Sequence, residues 1–295
     1  MFMLQFAFAL LLSPPKEKYL VLLRFSTVIL VFMFAASIGV SAQTGGAKPT
    51  PSPTPAPTPV IALNSKDTTK VFTAEQIAES AIFVYGFGGG RTLLDQIRKT
   101  AIEKGKTIVT NADGKVDRAS YTRFVMRGAD LAKDKVRLDQ DFPNARYGLI
   151  SNDDKVVLVF NNTVLTPSDE AAATFENTIY RGIEGLLRYK EGNSKIELAG
   201  REKQLGVEFY MVDVTDAKGR LTRYYVSVKS LRIMQLTYEV GGVKYRRKLY
   251  DYKYAQGTVV PYRTVLTAND KVIEETDIGT VTFGQKVDED LFKAN

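Results

Sequence analysis

The chain has 295 residues, 44% apolar and 25% charged, with 40 Lys+Arg against 33 Asp+Glu for a net charge of +7, and it holds no Cys, no His and no Trp. Such a chain is too apolar to be disordered and long enough for one large domain or two small ones. The missing residue types exclude disulfides, thiolate nucleophiles, lipidation at a cysteine, imidazole-based triads, zinc proteases and zinc fingers, so the expectation is a non-enzymatic protein with no cofactor and no metal.

Residues 1–42 read as an export signal. An apolar run at 2–12 is followed by Ser13-Pro14-Pro15 and the charges Lys16, Glu17, Lys18 and Arg24, and a second apolar run covers Phe25–Val40. As a helix that second run spans roughly 24 Å, short of the roughly 30 Å hydrocarbon core. It closes on Val40-Ser41-Ala42, small residues at the spacing signal peptidase accepts, which would leave Gln43 as the new N-terminus. A basic region normally opens a signal peptide, so the order of segments suggests that translation begins downstream, near 16–21. The alternative is an uncleaved anchor from Tyr19, which has the length but buries Arg24.

A linker follows at 43–64. Its centre, KPTPSPTPAPTPV at Lys48–Val60, alternates Pro with small residues. Each Pro fixes φ and removes a donor, so this segment is expected to be a semi-rigid polyproline II stalk.

Residues 65–295 read as one β-rich domain with helical inserts. Thr73 and Gln76 form a capping-box pattern ahead of Ile77, Ala81 and Val84, and the helix must stop at Gly86-Phe87-Gly88-Gly89-Gly90. That Gly-rich run follows a helix and ends in Arg91, which suits a cap and turn rather than a phosphate loop. Strand patterns then fit 106–111, 115–127, 134–141, 146–151 and 155–162, the first two joined at Asp113-Gly114. A helix over 168–190 is expected to carry Phe175, Ile179, Ile183, Leu186 and Leu187 on one apolar stripe. Strands resume at 195–199, 203–214, 220–228, 231–240, 243–254, 258–267 and 271–283, with Leu205 grouped among the apolar residues of the second.

Roughly twelve strands joined mostly by hairpins, without βαβ alternation, predict a mainly β (α+β) domain. The expected form is a large antiparallel sheet, strongly curved or closed. Several strands are apolar on both faces, and Met234, Leu236 and Tyr238 share one face of 231–240. A sheet of that size outgrows its helices, so an apolar concave groove is expected, lidded by the 168–190 stripe.

The stretch from Leu249 to Phe292 carries a family resemblance. The strand Leu249–Tyr254, Gly257 and Pro261, a turn at Asn269-Asp270, and a last strand leading into Val287-Asp288-Glu289-Asp290-Leu291-Phe292 resemble the end of the LolA/LolB-like superfamily of periplasmic outer-membrane lipoprotein-sorting domains. Upstream, the helix closing in Gly88-Gly89-Gly90, the long first hairpin and Tyr224-Tyr225-Val226 extend the resemblance over about 73–295. Membership implies a half-open barrel lidded by helices, with a cavity for acyl chains, in the periplasm or cell envelope. No individual site residue is carried over, and the stalk departs from the soluble carrier's pattern.

Lys244, Arg246, Arg247 and Lys248 cluster on one strand, with Arg246 and Lys248 alternating toward Tyr250, Tyr252 and Tyr254. This strip suits anionic lipid headgroups, a protein partner, or nucleic acid by aromatic stacking, or is a solvated face protecting an edge. The carboxylates Asp153-Asp154, Glu274-Glu275 and Asp288–Asp290 have no nearby base, and Asn161-Asn162-Thr163 is a sequon. Two functions fit these residues. One is a carrier or sensor that binds a lipid acyl chain or a lipidated protein, with membrane contact either transient or through an uncleaved anchor. The other is an envelope interaction module with a filled core, docking a protein partner. The mild positive charge does not imply nucleic acid.

Overall fold

In the computed structural model the described residues are 72–153 and 155–293, so the expected signal segment (1–42) and the stalk (43–64) lie outside them. Helix α1 (Ala74–Tyr85) starts as its capping box predicts, with the Thr73 hydroxyl accepting from the Gln76 amide and the Gln76 side chain accepting from the Thr73 amide. Phe87, Gly88 and Gly90 all take positive φ, and at Gly86 a Cβ would come within 2.3 Å of the Gly90 carbonyl oxygen. The glycines thus turn the chain sharply into a second helix, α2 (Gly90–Ile97), where the sequence suggested only a turn. Arg91 does not meet a phosphate site: it is spent on Glu79 at 2.9 Å, Glu191 at 2.6 Å and the Leu187 carbonyl at 3.0 Å.

Thirteen strands follow. The first six are β1 (Thr100–Thr110), β2 (Val116–Met126), β3 (Lys135–Phe142), β4 (Ala145–Asn152), β5 (Lys155–Phe160) and β6 (Thr163–Leu165). The other seven are β7 (Lys195–Gln204), β8 (Val207–Thr215), β9 (Leu221–Ser227), β10 (Ile233–Val240), β11 (Val243–Ala255), β12 (Thr258–Ala268) and β13 (Lys271–Phe283). They form one antiparallel sheet in the order β6-β5-β4-β3-β2-β1-β13-β12-β11-β10-β9-β8-β7. Two hairpin meanders are therefore joined by the pairing of β1 with β13, and the sheet does not close because β6 and β7 are its two edges. A mainly β domain with a large antiparallel sheet is what hairpin spacing predicts. One strand differs: β7 continues past 199 through a bulge at Leu198/Gly200 and turns at Leu205-Gly206, both at positive φ. Leu205 is consequently a fully exposed turn residue rather than a member of an apolar strand face.

The connection from edge β6 to edge β7 crosses the concave side as α3 (Asp169–Tyr180) and α4 (Glu184–Leu187). The single 168–190 helix is thus broken at Arg181-Gly182. Ser168 caps α3 through the Ala171 amide at 3.2 Å. At Gly185 a Cβ would lie 2.3 Å from the Tyr224 hydroxyl, which itself donates to the Gly182 carbonyl at 2.9 Å, so the break seats the chain close against β9.

The main core lies under α1, where Ile77, Ala78, Ala81, Ile82 and Tyr85 pack with Leu186 and Leu187 of α4 onto Val212, Tyr224, Val226, Ile233 and Leu236. A smaller cluster joins Phe175 and Ile179 of α3 to Val136, with Val125, Leu138 and Leu149 beside it. On the outer face of β1–β5, Val287 and Phe292 of the C-terminal tail cover Ile150 and Phe124.

Candidate functional site

Between α3, the α3–α4 break and the concave face of β1–β3 and β10–β13 lies a cavity of about 240 Å³. Its apolar lining comes from alternate strand positions, such as Val125, Val136 and Leu138 opposite Leu249, Ile278 and Val281, the last two three residues apart because a register shift opposite Lys104/Gly105 changes the parity of β13, and from Phe175, Ile179 and Ile183 above them. The space exists because α3 sends down only two fully buried apolar side chains over a span of sheet that α1 covers elsewhere with a complete stripe.

One side of the cavity is an ionic clamp. Arg98, at the end of α2, bonds Glu184 at 2.5 Å, Thr258 at 3.0 Å and the Val259 carbonyl at 2.8 Å. Arg127, at the end of β2, bonds the other oxygen of Glu184. Next to them Arg188 forks onto Asp134 at 2.7 and 2.9 Å and onto the Gly128 carbonyl at 2.9 Å. Burial raises the Glu184 carboxyl, but Arg127, Arg98 and Arg188 outweigh it and hold its pKa at about 2. Burial, helped by the charges of Arg98 and Arg188, pulls Arg127 below its ordinary value despite Glu184. Arg127 also pairs with Asp95 at 3.1 Å, so the three cations of the clamp meet three carboxylates; it fastens α4 to the ends of three strands, and its role is structural.

The residues singled out in the sequence divide by position. Phe175, Ile179, Ile183 and Leu236 line the cavity. Leu186 and Leu187 instead pack against α1 in the main core, because the break after Tyr180 rotates the second half of the stripe away from the first. Met234 and Tyr238 are partly buried and are not among the cavity's lining residues; Met234 falls at the register shift between Ile233 and Gln235, and Tyr238 stacks on Tyr245 with ring centroids 5.0 Å apart. Arg246 is exposed on the outer face and pairs with Asp270 at 3.2 Å; Lys248 is half-buried and Tyr250 exposed. Tyr252 is separated from them. Asp251 takes a left-handed backbone (φ 54°), so the alternation breaks and Tyr252 packs against the main core, its hydroxyl donating to the Ile233 carbonyl. Strict alternation groups Tyr252 with Tyr250; the backbone does not.

Arg247, one of the four cations clustered on this strand, also lines the cavity. It alternates with Leu249 toward the cavity, while Arg246 and Lys248 face away. The signal was a cation on the apolar parity of its strand. Among the described residues no three carboxylates gather into a metal-binding group, and no helix is long and apolar enough to cross a membrane.

No protein-family model matches the chain, and no curated protein matches it. Solved structures do resemble it in fold. A DUF1329 family protein from Desulfovibrio piger superposes with a TM-score of 0.55 at 13% identity, covering 75% of this chain and 97% of that one. A domain described as outer membrane lipoprotein-sorting, from Vibrio parahaemolyticus, gives 0.51 at 13% identity, over 72% of this chain and 97% of that one. A LolA superfamily protein from Nitrosomonas europaea gives 0.51 at 12% identity, over 76% and 98%. The fold is therefore LolA-like.

Proposed function

We propose that the domain is a non-enzymatic carrier or sensor of the bacterial cell envelope that holds a lipid acyl chain, free or attached to a protein, in the cavity beneath α3. The observation that carries this reading is the cavity itself: about 240 Å³ left unfilled between an apolar sheet face and a helix that could have sealed it. Burying an acyl chain contributes ~0.8 kcal/mol per methylene, so a twelve-carbon chain gains on the order of 10 kcal/mol gross without any catalytic group. The lipoprotein-sorting description of one structural relative agrees with this chemistry. Cleavage after Ala42 would deliver the domain to the periplasm with the 43–64 stalk as its N-terminal arm. The rival role, an interaction module with a filled concavity, fits less well because one half of the concavity is hollow.

Native mass spectrometry of the exported full chain tests the proposal, reporting both the mature N-terminus and any co-purifying lipid. The expected spectrum shows a lipid-sized adduct that disappears on organic extraction, and the extracted protein rebinds dodecanoate. Phe175→Asp abolishes rebinding while the circular dichroism spectrum is retained. A lipid-free protein that also fails to bind added acyl chains would end the carrier reading.

A further inference from the structure

Every guanidinium that faces the cavity from the clamp is hydrogen-bonded, yet two arginines on the cavity walls are not. Arg247 (β11) lines the cavity with its side chain only 15% exposed. Its Nε is fully buried without a hydrogen-bond partner, and its one carboxylate neighbour, Glu274, stands 4.0 Å away. Arg123 (β2) also lines the cavity and has no ion pair among the described residues. An arginine offers five donors in a planar fork. Leaving that fork unfilled where water is scarce costs more than filling it, because each desolvated donor loses its hydration without replacement. Glu274 is too far for a two-point contact and is shared with the Thr276 hydroxyl at 3.4 Å.

The surroundings specify what would fill the fork. Arg247 is flanked on its own face by Leu249 and across the strand pair by Leu236, so an oxyanion on the guanidinium would have its covalent tail against apolar wall. A second cation stands nearby: Arg181 stacks on Tyr238, its guanidinium carbon 4.8 Å from the ring centre, and Tyr238 feels the charge of both arginines. A neutral acyl chain would leave these donors as they are.

We propose that the cavity selects an anionic amphiphile, with a carboxylate or phosphate head accepted by Arg247 and a single acyl chain running beneath α3. This rests on the acyl-binding reading above and adds the chemical class of ligand. The shared chemistry is a small oxyanion on an alkyl tail; a free fatty acid and a lipid phosphate are its two sources.

The test uses the full mature chain, delipidated and held at pH 8, with displacement of an uncharged fluorescent dye as the readout. Dodecanoate, dodecyl phosphate and dodecanol are the three probes. Dodecanoate or dodecyl phosphate, or both, should bind about tenfold or more tightly than dodecanol, as a charge-assisted pair in a dry site warrants. Whichever anion binds tighter identifies the source. Arg247→Met should bring the anions down to the affinity of dodecanol, and Glu274→Gln, which removes the competing carboxylate, should widen the preference severalfold. Equal binding of all three probes by the wild type overturns the inference while leaving the carrier reading intact. So does a preference that survives Arg247→Met, or one that Arg123→Met removes instead. Should Arg247→Met not fold, a Glu274→Gln variant with no gain in anion binding counts against the proposal. Failure of every probe overturns the acyl-binding reading as well.

Discussion

The same concave sheet is treated in two ways along its width. Under α1 it is sealed: Ala78, Ala81 and Ile82 are fully buried, and the two alanines belong to one core with Val212 and Val226. Under α3 it is not: of twelve residues only Phe175 and Ile179 are fully buried, and a cavity remains beside them. The residues α3 could have used are three consecutive alanines at Ala171–Ala173, of which Ala173 is exposed and the other two half-buried. Small side chains therefore close one half of the sheet and leave the other open. What decides is whether they face the sheet with large partners between them. Close packing is concentrated in the first half, and unfilled volume in the second.

The sharpest contrast between the halves comes from one substitution made in each. Ile82→Asp should unfold the domain or remove about 4 kcal/mol or more in urea titration, since it buries an uncompensated carboxylate in the packed half. Ile179→Asp, at the cavity wall, should remove about half as much, because water can enter to solvate it. Equal losses would mean that the two halves are equally packed.

The seam between the halves is pinned by Glu184, and pH addresses it. Its pKa falls from the ordinary 4.5 to about 2 in the folded protein. A depressed carboxyl stabilises the fold wherever it is ionised in both states, above about pH 4.5. That contribution, on the order of 3 kcal/mol, fades as pH drops from about 4.5 toward 2. Glu184→Gln should destabilise at neutral pH by about 3 kcal/mol and flatten the acid limb of the stability curve. An unchanged acid limb would show that the clamp does not hold the charge as its geometry indicates.

Filling the hollow half tests its capacity directly. Leu138→Trp, at a cavity-lining strand position where an aromatic suits the β conformation, should change stability by no more than about 1 kcal/mol while weakening acyl-chain binding at least tenfold by dye displacement. Smallest of all, Arg246→Ala on the outer face should change both properties negligibly, with stability altered by less than about 0.5 kcal/mol, because its pair with Asp270 is exposed. A large loss of binding in that variant would move the lipid contact to the outer strip.

Most strands were legible because their turns carry a chemical signature: Asp113-Gly114, Gly241-Gly242 and Asn269-Asp270 all adopt or flank positive φ as such residues favour. Helix α1 was equally legible from its capping box. Less legible were features set by tertiary contact. The break at Arg181-Gly182 answers to Tyr224 pressing on the helix, which no local pattern contains. Helix α2 begins on a glycine with no side-chain cap, so nothing announced it. The β7 turn fell at Leu205-Gly206 because Gly200 bulged instead of turning, and both options suit a glycine. Of the cavity, the apolar lining from α3 followed from helical spacing, whereas Arg247 was hidden among three neighbouring cations until strand parity separated it.

The order of the strands has a bearing on how this domain is made. The first described strand finds one of its two neighbours only in the last, Ala101 lying opposite Phe283. A chain emerging from N- to C-terminus can assemble either meander as it appears, but the middle of the sheet stays unzipped until nearly the final residue is delivered. Until then each half exposes a raw edge at what will become its most protected place. Such long-range closure is slow, so a nascent domain of this design needs shielding from other chains for most of its synthesis, and premature truncation before Lys271 would release two unjoined ribbons rather than a slightly smaller fold.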